Sequence, residues 1–315
     1  MQYAEAIIIG GGPAGSSCAD NLKKAGMEVL VLDKAAFPRQ KVCAGWVTPH
    51  VWKYIDTDPK DYPHALTHFD SFQISIKKLH FKLKTNQYAI RRIEFDNWLL
   101  QKSGVKVENH EVKHIHPKND GFVIDETFEC KYLVGSGGTH CPVNKSLFEP
   151  EDPRTKSALV VALEEEFIYP DRDNDCYLWF LQNGLPGYSW YVPKPNGYVN
   201  IGIGGMESSL KSEGKNLRYH WELLIKQIET MGLIKDHQFK PVGHSYYLHK
   251  RKRNIRIGNA ILAGDAAGFA TNDMGEGIGA AVLSGKLAAE SIINGGVYSP
   301  KDIPSYSFWS IVFDR

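Results

Sequence analysis

No stretch of this 315-residue sequence is apolar for long enough to cross a bilayer, and it has no internal repeat or low-complexity segment. It also lacks a dominant charge, because 37 Lys and Arg stand against 36 Asp and Glu, a formal +1. That balance gives no reason to expect nucleic acid as a partner and argues against a broadly basic membrane-binding face. Cysteine is sparse: Cys18, Cys43, Cys130, Cys141 and Cys176 are odd in number and scattered, with no Cys-x-x-Cys pair. This excludes a disulfide frame or a zinc site and reads as reduced thiols in a cytoplasmic protein. The first residues lack a charged region followed by an apolar one, so no secretory signal is expected. His110, His114 and His116 are spaced for a strand but have no ligand set around them, which predicts solvated side chains. What remains is the composition of an ordinary soluble globular protein, 43% hydrophobic and 23% charged, long enough for one large domain or two smaller ones.

The clearest signal is at the start. The apolar strand Ala6-Ile7-Ile8-Ile9 runs into Gly10-Gly11-Gly12-Pro13-Ala14-Gly15-Ser16, and a second apolar strand, Val29 to Leu32, ends in Asp33. Strand, Gly-x-Gly-x-x-Gly turn, helix and strand with a terminal acid form the dinucleotide fingerprint. Gly10 allows the tight turn, Gly12 lets the backbone approach a pyrophosphate, and Gly15 lets a helix over Ser17 to Ala25 pack on the strand. The helix N-terminus offers free amides and partial positive charge to phosphates. Asp33 is placed to accept hydrogen bonds from ribose hydroxyls.

Further along, a helical stretch is expected over Val47 to Ile55. Phe72 to Ile76 and Leu79 to Leu83 alternate as a hairpin, and Arg92 to Leu100 has helical spacing. Short strands are expected at Val105 to Val107, Glu111 to His116, Gly121 to Asp125 and Tyr132 to Gly135. Between Ser157 and Lys250 the pattern is strand-rich and aromatic-dense, broken by one helix over about Gly214 to Met231. Its apolar face suits a greasy ligand.

A second glycine-rich block closes the chain. The buried-type strand Ala260 to Ala263 ends in Gly264-Asp265, and Gly275-Glu276-Gly277 then opens a helix over Ala280 to Ile293. An acid at the carboxyl end of a buried strand lies where open α/β sheets bind ligands. A nicotinamide dehydrogenase rarely needs this second site. A flavin does: Asp265 would bond a ribityl hydroxyl, and the helix start would stabilise negative charge on the reduced ring.

Ile9 to Ser16 with Asp33, Arg92 to Asp96, and Asn259 to Gly279 resemble the flavoprotein superfamily of p-hydroxybenzoate hydroxylase. Asp33 to Gly45, Gly187 to Pro193 and Asn200 to Gly205 narrow the resemblance to the geranylgeranyl reductase family. It implies an α/β fold: a Rossmann-like FAD-binding domain plus an inserted, mainly antiparallel substrate-binding β-sheet. The FAD domain is expected over 1–68, 88–156 and 254–315, and the substrate domain over 69–87 and 157–253. Cofactor contacts are implied at Gly10, Gly12, Pro13, Ala14, Gly15, Asp33, Lys34, Arg39, Cys43, Ala44, Arg92, Gly264, Asp265, Gly268, Gly275, Gly277 and Ile278. Cys43 is the implied catalytic residue, and Tyr188 and Trp190 would shape an apolar substrate pocket.

The expected activity is hydride transfer from reduced FAD to a carbon–carbon double bond of an apolar, isoprenoid-like or lipid substrate. Two alternatives stay open, a flavin-dependent monooxygenase or halogenase and a flavin-binding protein without catalysis. No second fingerprint supplies a nicotinamide domain, so NADPH or NADH would bind transiently or a protein would donate the electrons. Gly137-Gly138 replaces the hydroxylases' Asp-Gly pair, which leans against their chemistry. The chain stops soon after Phe313, earlier than such relatives, implying a more open cavity or a shortened form. The run His249-Lys250-Arg251-Lys252-Arg253, followed by Arg256, reads as a solvated loop. Its alternatives are a docking site for phosphate of NADPH or lipid, or for an anionic membrane surface.

Overall fold

The computed structural model describes residues 1–212 and 214–307; the chain end around Phe313 lies outside them. Two sheets organise the fold. The first runs, in spatial order, Arg256–Ile257, Ala260–Leu262, Phe128–Gly135, Gln2–Ile9, Val29–Asp33, Lys106–Asn109. From Ala260–Leu262 onward, neighbours in that order are parallel. Ile9 lies opposite both Leu32 and Gly135, and Leu262 opposite Gly135, so four strands finish together on one edge. Such a row of carboxyl ends is where an open α/β sheet binds ligands. The hairpin Ile115–Lys118 and Gly121–Ile124 adds antiparallel pairing to Phe128–Gly135. His110 pairs with Asp125 at 2.7 Å beside it.

Helix Pro13–Lys24 begins four residues earlier than expected. Proline at the first helical position lacks only an amide that would be unbonded there anyway, and Gly12 forms the extended cap. Helix Ile278–Asn294 packs directly on it. A Cβ on Gly285 would lie 2.1 Å from the Ala14 carbonyl, and Ser17 Oγ donates to the Val282 carbonyl at 2.9 Å. Small residues thus bring the two helix N-termini side by side.

The second sheet runs Val242–Tyr247, Leu159–Ile168, Tyr198–Met206, Gly187–Pro193, Cys176–Phe180, Thr67–Ile76, Leu79–Ala89, Trp46–Val47. It is antiparallel except where Cys176–Phe180 runs parallel to Thr67–Ile76. One face, with Trp179, Tyr191, Ile201 and Ile203, is closed by helix Leu217–Thr230. That helix is shorter than expected because Asn216 caps it, its Oδ1 accepting the Tyr219 amide at 2.9 Å. Residues Glu207–Ser212 form a separate short helix. The expected helix over Val47 to Ile55 is instead the strand Trp46–Val47 followed by helix Pro49–Tyr54, and the strand expected from Glu111 starts only at Ile115. Among the described residues no helix is long and apolar enough to cross a membrane.

Candidate functional site

The strand ends, the two helix N-termini and the second sheet enclose one cavity of about 1480 Å³. The glycine loop gives it Gly10, Gly12, Pro13 and Ala14, and the second strand gives Asp33, Lys34 and Arg39. Gly12 and Gly15 of this loop differ in what crowds them. A Cβ on Gly12 would meet only the Arg39 guanidinium, at 3.3 Å, whereas one on Gly15 would overlap the Gly10 carbonyl oxygen at 1.9 Å. Gly12 therefore faces the space a ligand would fill, while Gly15 serves helix packing. Gly10 has φ +103° and is pressed against Ser136 and Gly137, and Ser136 Oγ donates to its carbonyl at 2.8 Å. Asp33 is fixed by the amides of Gly11 (2.8 Å) and Ala35 (2.9 Å), leaving lone pairs for further donors.

Arg92 enters from helix Arg92–Ser103 and is held by both Asp96 oxygens, at 2.6 and 2.8 Å. Burial works against its charge, but the Asp96 carboxylate, with the Cys43 side chain behind it, outweighs burial and keeps the guanidinium above its ordinary value. A permanent cation so placed suits a phosphate-bearing ligand. Asp96 is a partner the sequence reading left unassigned, although i,i+4 spacing after Arg92 signals it.

Cys43 is half-buried on the cavity wall; the other four cysteines are buried, and burial raises all four thiols. Its loop is clamped from behind by Lys194, wholly buried, whose ammonium donates to the Cys43 carbonyl at 2.7 Å and pairs with Glu166. Lys194→Met should destabilise the protein by about 3 kcal/mol, because Glu166 loses one of its two cations and the Cys43 carbonyl its donor. Denaturant titration measures this; an unchanged midpoint would show that the clamp is not structural.

The second glycine block completes the wall with Gly264, Asp265, Gly275, Gly277 and Ile278. Gly275 is left-handed (φ +62°), and a Cβ there would sit 2.3 Å from the Tyr246 hydroxyl. Glu276 caps the helix, accepting the Gly279 amide at 2.6 Å, and burial with nearby Asp265 and Asp273 pushes its carboxyl up to about 7.

Strand register explains the far wall. Across the second sheet, Phe180 pairs with Tyr188, Tyr188 with Gly204 and Gly204 with Ala162; Leu178, Trp190, Gly202 and Glu164 form the neighbouring row. All face one way, towards the first sheet. On that face His244 pairs with Ala162, and its Nδ1 lies 3.3 Å from Glu164 Oε1. Burial pushes Glu164 up to about 7 against the pull of Lys194 and Asn200, and burial with Lys41 and Arg92 pushes His244 down to about 4. Neither residue was expected from the sequence, although a glutamate at an inward position of an apolar strand is the visible signal.

Some expected residues lie off the wall. Gly15 is behind it, Ala44 packs in the Trp46–Trp190 cluster, and Gly268 turns against Tyr247. Tyr188 and Trp190 do not line the cavity either. Trp190 is buried, its indole donating to Asn200 Oδ1 at 2.6 Å and its ring packed against Gly202, while Tyr188 packs with Met274 and its hydroxyl donates to the Met274 carbonyl. The basic run is engaged in its own surroundings: His249 is buried, Lys250 donates to Thr155, Arg251 to Ser305 and Arg253 to Asn144.

The residues present fit a dinucleotide with a second electron-rich moiety: two adjacent helix N-termini, two acids at strand ends, a permanent cation and a glycine open to the ligand space. Residues 4–143 match the family described as pyridine nucleotide-disulphide oxidoreductase. Over 95% of its length the chain is 32% identical to an uncharacterised protein of Methanosarcina barkeri, covering 77% of it. It is 25% identical to a geranylgeranyl diphosphate reductase of Rhodobacter capsulatus, over 92% of this chain and 75% of that one. A solved geranylgeranyl bacteriochlorophyll reductase-like protein from Thermoplasma acidophilum shares the fold with a TM-score of 0.80 at 23% identity, over 96% and 81% of the two chains. Kinship along nearly the whole chain thus agrees with the two-part cradle, and the protein belongs to the geranylgeranyl reductase family of FAD-dependent oxidoreductases.

Proposed function

We propose that this enzyme reduces carbon–carbon double bonds of an apolar, isoprenoid-like substrate. The observation that carries the reading is the layout of one sheet face. Its aromatic half, Phe180, Tyr188 and Trp190, adjoins a glycine row and then buried Glu164 and, on the cavity wall, His244. The cavity exceeds the roughly 300–1,000 Å³ of an ordinary ligand site, which leaves room for cofactor and substrate together. The names of the relatives, geranylgeranyl diphosphate reductase and menaquinone reductase, support the same substrate class.

Bound FAD, once reduced, supplies a hydride to one carbon of the double bond. The chain's own residues do the rest. Gly10, Gly12 and the Pro13 helix start would hold the pyrophosphate, Asp33 and Asp265 would accept from hydroxyls of the cofactor, and Arg92 would balance phosphate charge. The other carbon would take a proton from the cavity wall, where Cys43 and His244 stand, with Glu164 buried behind His244 at 3.3 Å. NADPH or NADH, bound transiently, would serve as the electron donor. The test is anaerobic: the photoreduced enzyme should be reoxidised on adding a prenyl substrate and stay reduced without it. Flavin that remains reduced with every prenyl compound tried would sink the reading. Rapid oxidation in air coupled to hydroxylation or halogenation would replace it with oxygen chemistry.

A further inference from the structure

From Ser71 to Ile93 the chain has no acidic residue, and this stretch holds all but the first four residues of the hairpin formed by Thr67–Ile76 and Leu79–Ala89. Cross-strand pairs sort this hairpin into two faces. Phe72 with Leu83, Ile74 with Phe81 and Ile76 with Leu79 form one apolar ladder. Gln73 with Lys82 and Ser75 with His80 form the polar face. The ladder starts in the buried cluster that holds Trp190 and Met274 and continues outward into solvent. There Leu79 is 63% exposed, Ile76 40% and Phe81 39%, and Leu181, beside the Phe180–Ile76 pairing, is 47% exposed. Lys77 and Lys78 make the turn, and Lys82 and Lys84 follow on the polar face. Two acids lie back from the tip: Asp175, which accepts a hydrogen bond from Gln73 at 2.9 Å, and Asp70, whose carboxyl the Ser71 hydrogen bond and then Lys82 hold below the ordinary value.

Apolar side chains left in water cost free energy unless something covers them, and cationic ones beside them select an anionic cover. A soluble acidic protein would meet the lysines but gain little from a narrow, two-residue-wide apolar ladder. A bilayer accepts both, with aliphatic and aromatic side chains entering the interface and lysines reaching the headgroups. We propose that the hairpin tip, Ile76 to Lys84, docks the enzyme on an anionic lipid bilayer. The docked tip sets the exposed end of the sheet's apolar ladder against the membrane, on the side from which a lipid-like substrate would arrive. This purpose rests on the proposed apolar substrate; the docking itself does not. The basic run at 249–253, engaged with neighbouring side chains, takes no part.

The holoenzyme should be sedimented with vesicles of phosphatidylcholine alone and with phosphatidylglycerol added. Binding is expected only to the anionic vesicles, weakening with added salt. The Lys77→Gln/Lys78→Gln double variant, and separately Leu79→Asp, should each weaken it by about tenfold. Lys250→Gln/Arg251→Gln should leave it unchanged. Visible flavin absorbance equal to that of the parent shows that each variant is folded. Equal binding to neutral vesicles, hairpin variants that bind like the parent, or loss confined to the Lys250→Gln/Arg251→Gln variant would overturn docking by the hairpin. Reoxidation by detergent-dispersed prenyl substrate needs no bilayer, so failure of the substrate reading is seen separately from failure of docking.

Discussion

Gly15→Ala should leave a protein that is poorly folded and colourless, while Gly12→Ala should leave one that is well folded and nearly as colourless. The two glycines belong to one motif, yet their surroundings differ. A Cβ at position 15 would be 1.9 Å from the Gly10 carbonyl oxygen and 2.7 Å from Ser136 Oγ, and neither the strand end nor the helix can yield far. Backbone overlap of that depth is expected to destabilise on the order of 3 kcal/mol. At position 12 the backbone is extended (φ −73°), so alanine is unstrained, and the new methyl meets only the far end of Arg39 at 3.3 Å. Flavin-free Gly12→Ala should therefore unfold within about 0.5 kcal/mol of the parent. The methyl would instead occupy the approach to the pyrophosphate and weaken FAD binding by about a hundredfold. Thermal unfolding of the flavin-free proteins, followed by FAD titration, separates the two. Equal destabilisation of both variants would refute the division of labour.

That motif was legible because its chemistry is local: a turn, a helix start and a strand-end acid all lie within residues 6–33. The Gly264–Ile278 block was legible for the same reason. Where local signals compete, boundaries slipped, as at Pro13, which reads as a loop residue yet opens the helix. Other parts of the site depend on register between distant segments. Glu164 meets His244 only because Leu159–Ile168 pairs with Val242–Tyr247, and no spacing rule predicts which residues will face each other. Lys194 was invisible for another reason: a lysine in a strand-end Val-Pro-Lys-Pro stretch looks solvated, and lysine is almost never fully buried without partners. Trp190 and Tyr188 were expected to shape an apolar substrate pocket, but they pack with Met274, from a segment some eighty residues on, and do not line the cavity.

Glu164→Gln should make the enzyme more stable at pH 8 and slower at its proposed reaction. Burial raises this carboxyl to about 7, well above the usual carboxylate range, although Lys194, Asn200, Lys41 and Arg92 all favour its charge. The folded protein therefore prefers the protonated form. The stability this gives is fully present below the ordinary glutamate value and is lost as pH rises through 7. Glutamine keeps the neutral shape, so the variant should gain about 2–3 kcal/mol over the parent at pH 8 and almost nothing at pH 4. Glu276, also raised to about 7, loses stability over the same window in both proteins and cancels in the comparison. His244, held neutral by burial, works in the opposite sense between about 4 and 6.5, so the contrast is read above that range. Glu164 is buried behind the cavity wall, so its proton would reach a substrate through His244, which lines the cavity 3.3 Å from Glu164 Oε1. Removing that proton should slow anaerobic reoxidation by prenyl substrate about a hundredfold and abolish the fall in rate near pH 7. Cys43→Ser decides between the thiol on the wall and the buried carboxyl behind it. A normal rate in Cys43→Ser and a slow one in Glu164→Gln assigns the proton to the buried pair. The reverse result assigns it to the thiol and leaves Glu164 a purely structural cost.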